Sequence, residues 1–130
     1  MKEILLVADL PWVADAVSAA LAGGAYGLRV VPDSAAAAAD WREKGAAVVL
    51  IDFQVGARGG MAVVRDLRTA AHETGVAAPP AVLLLDRAVD AFLARRAGAD
   101  AWIRKPFGGF ALRRLVDGLA AGGAAEGAVG

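Results

Sequence analysis

Five short, largely apolar segments rich in β-branched residues alternate with longer segments of mixed polarity. The apolar segments are Glu3–Ala8, Leu28–Pro32, Ala46–Ile51, Ala81–Leu85 and Ala101–Ile103. Because they do not alternate between apolar and polar positions, they are typical of strands that a parallel sheet buries on both faces. The intervening segments are predicted to be helices, namely Pro11–Leu21, Ser34–Lys44, Gly60–Thr74, Val89–Ala97 and Phe107–Ala121.

The alternation predicts an α/β fold, a (βα)5 doubly wound five-stranded parallel sheet in a three-layer α/β/α sandwich. Ser34 is a candidate N-cap of the second helix, and Gly45 is expected to end it. Residues 1–121 are predicted to form one domain. Residues 122–130 are rich in Ala and Gly and lack periodicity, so we expect a flexible tail there.

Composition and charge exclude several classes of function. The chain has 130 residues with 14 Lys and Arg against 14 Asp and Glu, so no basic surface for nucleic acid or membrane is expected. The absence of cysteine excludes disulfides and thiolate chemistry. No apolar run approaches the roughly 20 residues of a membrane span, and the sequence does not start like a signal peptide. We therefore expect a soluble, cytoplasmic protein.

Charged residues follow three of the predicted strands. Asp9 follows the first strand, Asp52 the third and Lys105 the fifth. The carboxyl ends of parallel strands meet at one edge of a sheet, so these side chains should surround one pocket. Two carboxylates suit Mg²⁺, and a carboxylate can attack phosphorus to give an acyl phosphate. Lys105 would then neutralise a phosphoryl oxygen. Each residue alone could be a cap or a solvated side chain, but the three together favour this chemistry.

Four segments carry a family resemblance. They are Ile4–Pro11, Val49–Asp52, Gly60-Met61 and Gly98–Phe107, and the last, with its Gly-Ala-Asp turn and its Lys-Pro pair, is the most specific. The chain resembles a CheY-like response-regulator receiver domain from about Ile4 to Leu119. The resemblance implies a flavodoxin-like sheet with strand order 2-1-3-4-5.

The resemblance also implies residue functions. Asp52 would be the phosphoacceptor, and Lys105 would contact the phosphoryl group across a cis bond to Pro106. Asp9, Asp52 and the backbone carbonyl of Gln54 would bind Mg²⁺.

Several positions depart from the family pattern. Ala8 replaces the first of two acids, so Mg²⁺ should bind more weakly. Asp86 replaces the switch hydroxyl that normally reports phosphorylation. It could repel the phosphoryl group, mimic it by pairing with Lys105, or face solvent and pair with Arg87. Trp102 occupies the position of the switching aromatic, although a packing tryptophan would look the same.

The resemblance implies a non-enzymatic receiver of a two-component phosphorelay. Its partners would be a histidine kinase or phosphotransfer protein, and an output protein or second copy bound by the fourth helix, fifth strand and fifth helix. Direct contact with nucleic acid or membrane is not expected. The alternative is a pseudo-receiver that binds proteins without phosphorylation. A remote alternative is an aspartyl-nucleophile phosphatase, although Gln54 replaces the expected second aspartate and no cap domain fits.

Overall fold

The computed structural model describes residues 1–122 and 127–129. Strands and helices alternate along the chain, and short 3₁₀ turns, Ser34–Ala36 and Ala88–Asp90, precede the second and fourth helices. The strands are β1 (Lys2–Val7), β2 (Tyr26–Val31), β3 (Val48–Asp52), β4 (Ala81–Leu85), β5 (Ala101–Arg104) and β6 (Gly127–Val129). The helices are α1 (Pro11–Ala20), α2 (Ala37–Lys44), α3 (Gly60–Thr74), α4 (Ala91–Ala97) and α5 (Gly109–Ala120).

All strands pair in parallel, in the order β2-β1-β3-β4-β5-β6. The first five confirm the predicted order. The sixth strand was not predicted, and it adds to the edge of β5 with Ala101 opposite Gly127. The predicted flexible tail falls largely on residues 123–126 and 130, which lie outside the described residues, so its flexibility stays a prediction.

The sheet is covered on both faces, which explains why its strands are apolar throughout. β3 and β4 are buried at every position. Ile4 and Leu6 face one core cluster with α1 and α5, whereas Leu5 and Val7 face the other with α2, α3 and α4. Successive strand residues point to opposite faces, so each strand supplies both cores.

The start of α2 differs from its prediction. Ser34 does not cap α2, whose N-cap is Ala36, without a side-chain hydrogen bond. Asp33 caps the 3₁₀ turn that precedes α2, because its side chain accepts a hydrogen bond of 3.0 Å from the backbone N–H of Ala35. Ser34 instead begins the 3₁₀ turn and is buried. Gly45 ends α2 with a φ of 73°, as predicted, since glycine adopts positive φ without strain.

The parallel arrangement directs the five connections that follow β1 to β5 to one edge of the sheet. Backbone pairing continues past the strand ends, because Phe53 N–H donates to Leu84 O (2.9 Å) and Lys105 N–H donates to Leu85 O (2.7 Å). The loops after β3, β4 and β5 are therefore held side by side. Among the helices in residues 1–122, none combines the length and hydropathy that a membrane span requires.

Candidate functional site

Asp52 is the last residue of β3 and is completely buried. Its Oδ1 accepts a hydrogen bond from the ammonium of Lys105. Its Oδ2 is buried and has no hydrogen-bond partner within residues 1–122 and 127–129. A buried carboxylate oxygen without a donor is costly and uncommon in folded proteins. This oxygen is thus the one atom of the site best suited to meet a cation or an electrophile.

Lys105 follows β5, and its side chain is only 3% exposed. The peptide bond to Pro106 is cis, as predicted. Besides Asp52, the ammonium contacts Asp86, with 3.1 Å between Nζ and Oδ1. It also lies over the indole of Trp12, 5.5 Å from the ring centroid, which is within the range of a cation–π interaction. Lys105 therefore connects Asp52, Asp86 and Trp12.

Asp86 is the first residue after β4, and its side chain is 39% exposed. It pairs with Lys105, the second of the three arrangements considered for it, and not with Arg87. Arg87 instead pairs with Asp90 at 3.1 Å, and the hydrogen bond that its guanidinium donates to that carboxylate raises the pKa of Arg87. Residue 87 has extended backbone, in which neighbouring side chains point to opposite sides. Asp86 and Arg87 therefore face different partners.

Asp9 lies in the loop after β1 and connects to the loop after β3. Its Oδ2 accepts a hydrogen bond of 3.1 Å from the backbone N–H of Gly56. Gly56 has a φ of 59°, which favours glycine at this position. Gln54 lies in the same loop, two residues after Asp52, and its side chain is exposed. The structure thus brings the loops of all three predicted metal-binding residues to one edge.

The residues at this edge fit a magnesium ion. Asp9 and Asp52 have carboxylate oxygens, Gln54 lies two residues after Asp52 and would offer its backbone carbonyl, and Asp52 Oδ2 has no donor among the described residues. Mg²⁺ prefers such oxygen ligands and retains several waters. In the described part of the chain, no group of three or more His, Cys, Asp or Glu side chains forms a complete metal site. A magnesium ion here would therefore depend on the carbonyl and on water beside two carboxylates.

Trp102 lies in β5 and is 7% exposed. It belongs to the core cluster on the side of α2, α3 and α4, and the guanidinium of Arg95 lies 5.6 Å from its ring centroid. Its indole N–H has no partner among the described residues. This burial agrees with a packing tryptophan, and its switching function stays a prediction.

Trp12 is the site residue that the sequence analysis missed. It is the second residue of α1 and is half exposed, yet its ring lies against the ammonium of Lys105. The available signal was an aromatic residue three positions after Asp9, at the first turn of the helix that leaves the sheet edge. Without the position of Lys105, that tryptophan looks like an ordinary surface residue.

Comparisons with solved structures identify the fold. No family model matches the sequence, and no curated protein matches it. Solved structures match over nearly the whole chain. The receiver domain of yeast Ssk1, solved with the phosphotransfer protein Ypd1 from Saccharomyces cerevisiae, matches with a TM-score of 0.84 and 18% identity, over 96% of this chain and 92% of that chain. The chain has the fold of a response-regulator receiver domain.

Two further receiver domains have the same fold as this chain. The signal receiver domain of a histidine kinase from Syntrophus aciditrophicus has a TM-score of 0.79 and 24% identity, over 94% of this chain and 92% of that one. The receiver domain of Francisella response regulator 1452 has a TM-score of 0.78 and 20% identity, over 93% and 98%. At these identities the receiver fold is shared, while the chemistry has to be argued from the residues at the sheet edge.

Proposed function

We propose that this chain is a receiver domain of a two-component phosphorelay and that it accepts a phosphoryl group on Asp52. The observation that carries the proposal is the state of the Asp52 carboxylate. Lys105 binds one oxygen, and the other oxygen is buried without a donor among the described residues. The carboxylate is thus held in place through Oδ1, and Oδ2 is available to react.

The arrangement suits an in-line transfer. Asp52 Oδ2 would attack phosphorus and form an acyl phosphate, while the bond from phosphorus to the donor breaks and the leaving atom keeps the electron pair. With a phosphohistidine donor, the leaving atom is an imidazole nitrogen. The ammonium of Lys105 would offset charge on the phosphoryl oxygens. The ammonium of Lys105 contacts the Asp52 carboxylate directly, so both can contact the same group.

Asp9, Asp52 and the Gln54 carbonyl would hold Mg²⁺ beside this oxygen. When bound, the ion offsets the repulsion between the carboxylate and an anionic phosphoryl group. Ala8 is 3% exposed and offers no ligand, so Mg²⁺ should bind more weakly than it would with two acids after β1. We therefore expect phosphorylation to require more Mg²⁺ than in a receiver with both acids.

The proposed phosphoryl donor is a histidine kinase or a phosphotransfer protein. The yeast neighbour was solved with such a phosphotransfer protein, which supports this class of donor. The predicted output surface of α4, β5 and α5 is altered, because β6 pairs with the outer edge of β5. The proposed surface therefore combines α4 and α5, where Phe92 (63% exposed) and Phe110 (76% exposed) are accessible. Arg96 and Arg114 lie over these rings at 5.6 and 5.7 Å from the centroids. Exposed aromatic and arginine side chains are enriched in protein interfaces.

A phosphorylation-independent pseudo-receiver is the second candidate. The contact that favours it is the 3.1 Å ion pair between Asp86 and Lys105, since a carboxylate of the chain already neutralises the lysine. In this case the domain would bind its partner in a single state without a kinase.

Chemical phosphorylation separates the two candidates. The protein is incubated with acetyl phosphate and Mg²⁺, and its intact mass is recorded over time. We expect the added mass of one phosphoryl group in the wild type and none in Asp52→Asn. Asp66→Asn is the control, because Asp66 is a partly exposed carboxylate paired with Arg58 at 2.9 Å, outside the site. An unmodified wild type over millimolar Mg²⁺ would support the pseudo-receiver.

A further inference from the structure

We infer that Asp86 is an internal competitor for Lys105, which an incoming phosphoryl group has to displace. The inference rests on the proposed function, since it concerns the regulation of the same site. It assigns to Asp86 an autoinhibitory contact: the wild-type domain would accept phosphoryl groups slowly because its own carboxylate occupies the lysine.

Three groups surround the ammonium of Lys105. Asp52 accepts a hydrogen bond from it, Asp86 Oδ1 lies 3.1 Å from Nζ, and the centroid of the Trp12 ring lies 5.5 Å from Nζ. An ammonium has three N–H donors, so these groups compete with any further acceptor. With its side chain 3% exposed, the lysine has little contact with solvent. A phosphoryl oxygen can therefore contact the ammonium only if one of the present partners moves away.

Asp86 is the partner that can move at least cost. Asp52 is completely buried and fixed at the end of β3. Asp86 is 39% exposed, so its carboxylate can exchange the lysine for water. Water solvates a partly exposed carboxylate well, and such ion pairs are weak. The site thus combines one fixed and one exchangeable partner of the same ammonium.

The excess of negative charge at the site also favours slow phosphorylation. The carboxylates of Asp9, Asp52 and Asp86 share this sheet edge with Lys105. Arg87 does not relieve the excess of negative charge, because its guanidinium donates to both carboxylate oxygens of Asp90, at 3.3 and 3.1 Å. An anionic phosphoryl donor would therefore meet repulsion to which Asp86 contributes directly.

The rate of phosphorylation by acetyl phosphate tests this inference. Asp86→Asn keeps the shape of the side chain and removes its charge, and we expect the modification rate to rise by up to roughly fivefold, as expected for loss of one partly exposed charge pair. Asp86→Ala should show a similar increase, whereas Asp86→Glu should stay close to wild type. Asp66→Asn, the same change at a carboxylate of similar exposure, should leave the rate unchanged.

The outcomes separate the two proposals. Equal rates in wild type, Asp86→Asn and Asp86→Ala would overturn the competition and leave Asp52 as the acceptor. Modification only after removal of the Asp86 charge would support the competition but contradict phosphorylation of the wild type, as expected for the pseudo-receiver. No modification in any variant would overturn both, because an unblocked lysine should have restored the reaction.

Discussion

Lys105 donates a hydrogen bond to Asp52, a residue 53 positions earlier in the chain, at the buried carboxyl edge of the sheet. The contact is asymmetric. Lys105 has two further neighbours, Asp86 and the ring of Trp12, whereas Asp52 has no other side-chain partner among the described residues. Loss of the Lys105 ammonium should therefore affect stability differently from loss of the Asp52 charge.

Lys105→Met should cost more stability than Asp52→Asn. Without Lys105, a completely buried carboxylate is left unpaired, which we expect to lower the free energy of unfolding by about 2–4 kcal/mol. Without the charge of Asp52, Lys105 still pairs with Asp86, and the cost should be less than about 1 kcal/mol. Urea unfolding of both variants measures the difference. Equal costs would show that Asp52 has another partner or is hydrated.

Gly60 should not tolerate a larger residue. A Cβ at this position would lie 2.8 Å from Asp52 O and from Leu83 Cδ2. Gly60→Ala should therefore destabilise the fold by about 1–3 kcal/mol and disturb the backbone that carries Asp52. Gly118→Ala on α5 is the matched control, because nothing lies within 4 Å of its Cβ, and it should stabilise by about 0.5–1 kcal/mol. Thermal unfolding compares the two, and a neutral Gly60→Ala would contradict the close packing.

Ala8→Asp should strengthen magnesium binding. The added carboxylate would restore the second acid after β1 and an outer ligand of the ion, so we expect affinity to rise by roughly tenfold. Without Mg²⁺, the same change should destabilise the fold, since it buries a further acid beside Asp9 and Asp52. Thermal unfolding over a Mg²⁺ titration measures both effects. Asp9→Asn should reduce the response, and a Mg²⁺-independent midpoint in all three proteins would contradict the site.

The contribution of Tyr26 to stability should depend on pH only under alkaline conditions. Burial and the hydrogen bond from its hydroxyl to Asp117 raise its pKa from 10.0 to about 12. The folded state thus favours the protonated phenol, so this contribution is complete below pH 10.0 and is lost as the pH rises through about 12.

Tyr26→Phe isolates that contribution. We expect it to lower the free energy of unfolding by no more than about 1 kcal/mol at neutral pH, since it removes one exposed hydrogen bond. The difference from wild type should shrink between pH 10.0 and about 12. Urea unfolding across this range is the measurement, and a difference that grows with pH would contradict the assignment.

The sheet and the position of its charged edge could be predicted from the sequence. Strands buried on both faces leave a continuous apolar pattern, and parallel strands necessarily bring Asp9, Asp52 and Lys105 to one edge. β6 left no such pattern, because residues 127–129 are Gly, Ala and Val in an Ala- and Gly-rich segment.

The pairing within the site required the structure. Sequence left Asp86 with two cationic partners, Lys105 and Arg87, and the choice depends on side-chain direction. Arg87 reaches Asp90 across the 3₁₀ turn that precedes α4, and the turn itself was not predicted. The contact of Trp12 with Lys105 could not be predicted either, since it joins the first turn of α1 to the loop after β5. The sequence pattern of each strand shows where that strand ends. Contacts between side chains that follow different strands depend on how these segments are arranged in the folded protein.

Chemical mapping of the modified residue tests the central claim most directly. The protein is treated with acetyl phosphate and Mg²⁺ and then reduced with borohydride, which converts an aspartyl phosphate to homoserine, and peptides are sequenced by mass spectrometry. The account predicts homoserine at position 52 in wild type, more of it in Asp86→Asn and none in Asp52→Asn. Homoserine at a different aspartate, or its absence at position 52 in both wild type and Asp86→Asn, would contradict the account.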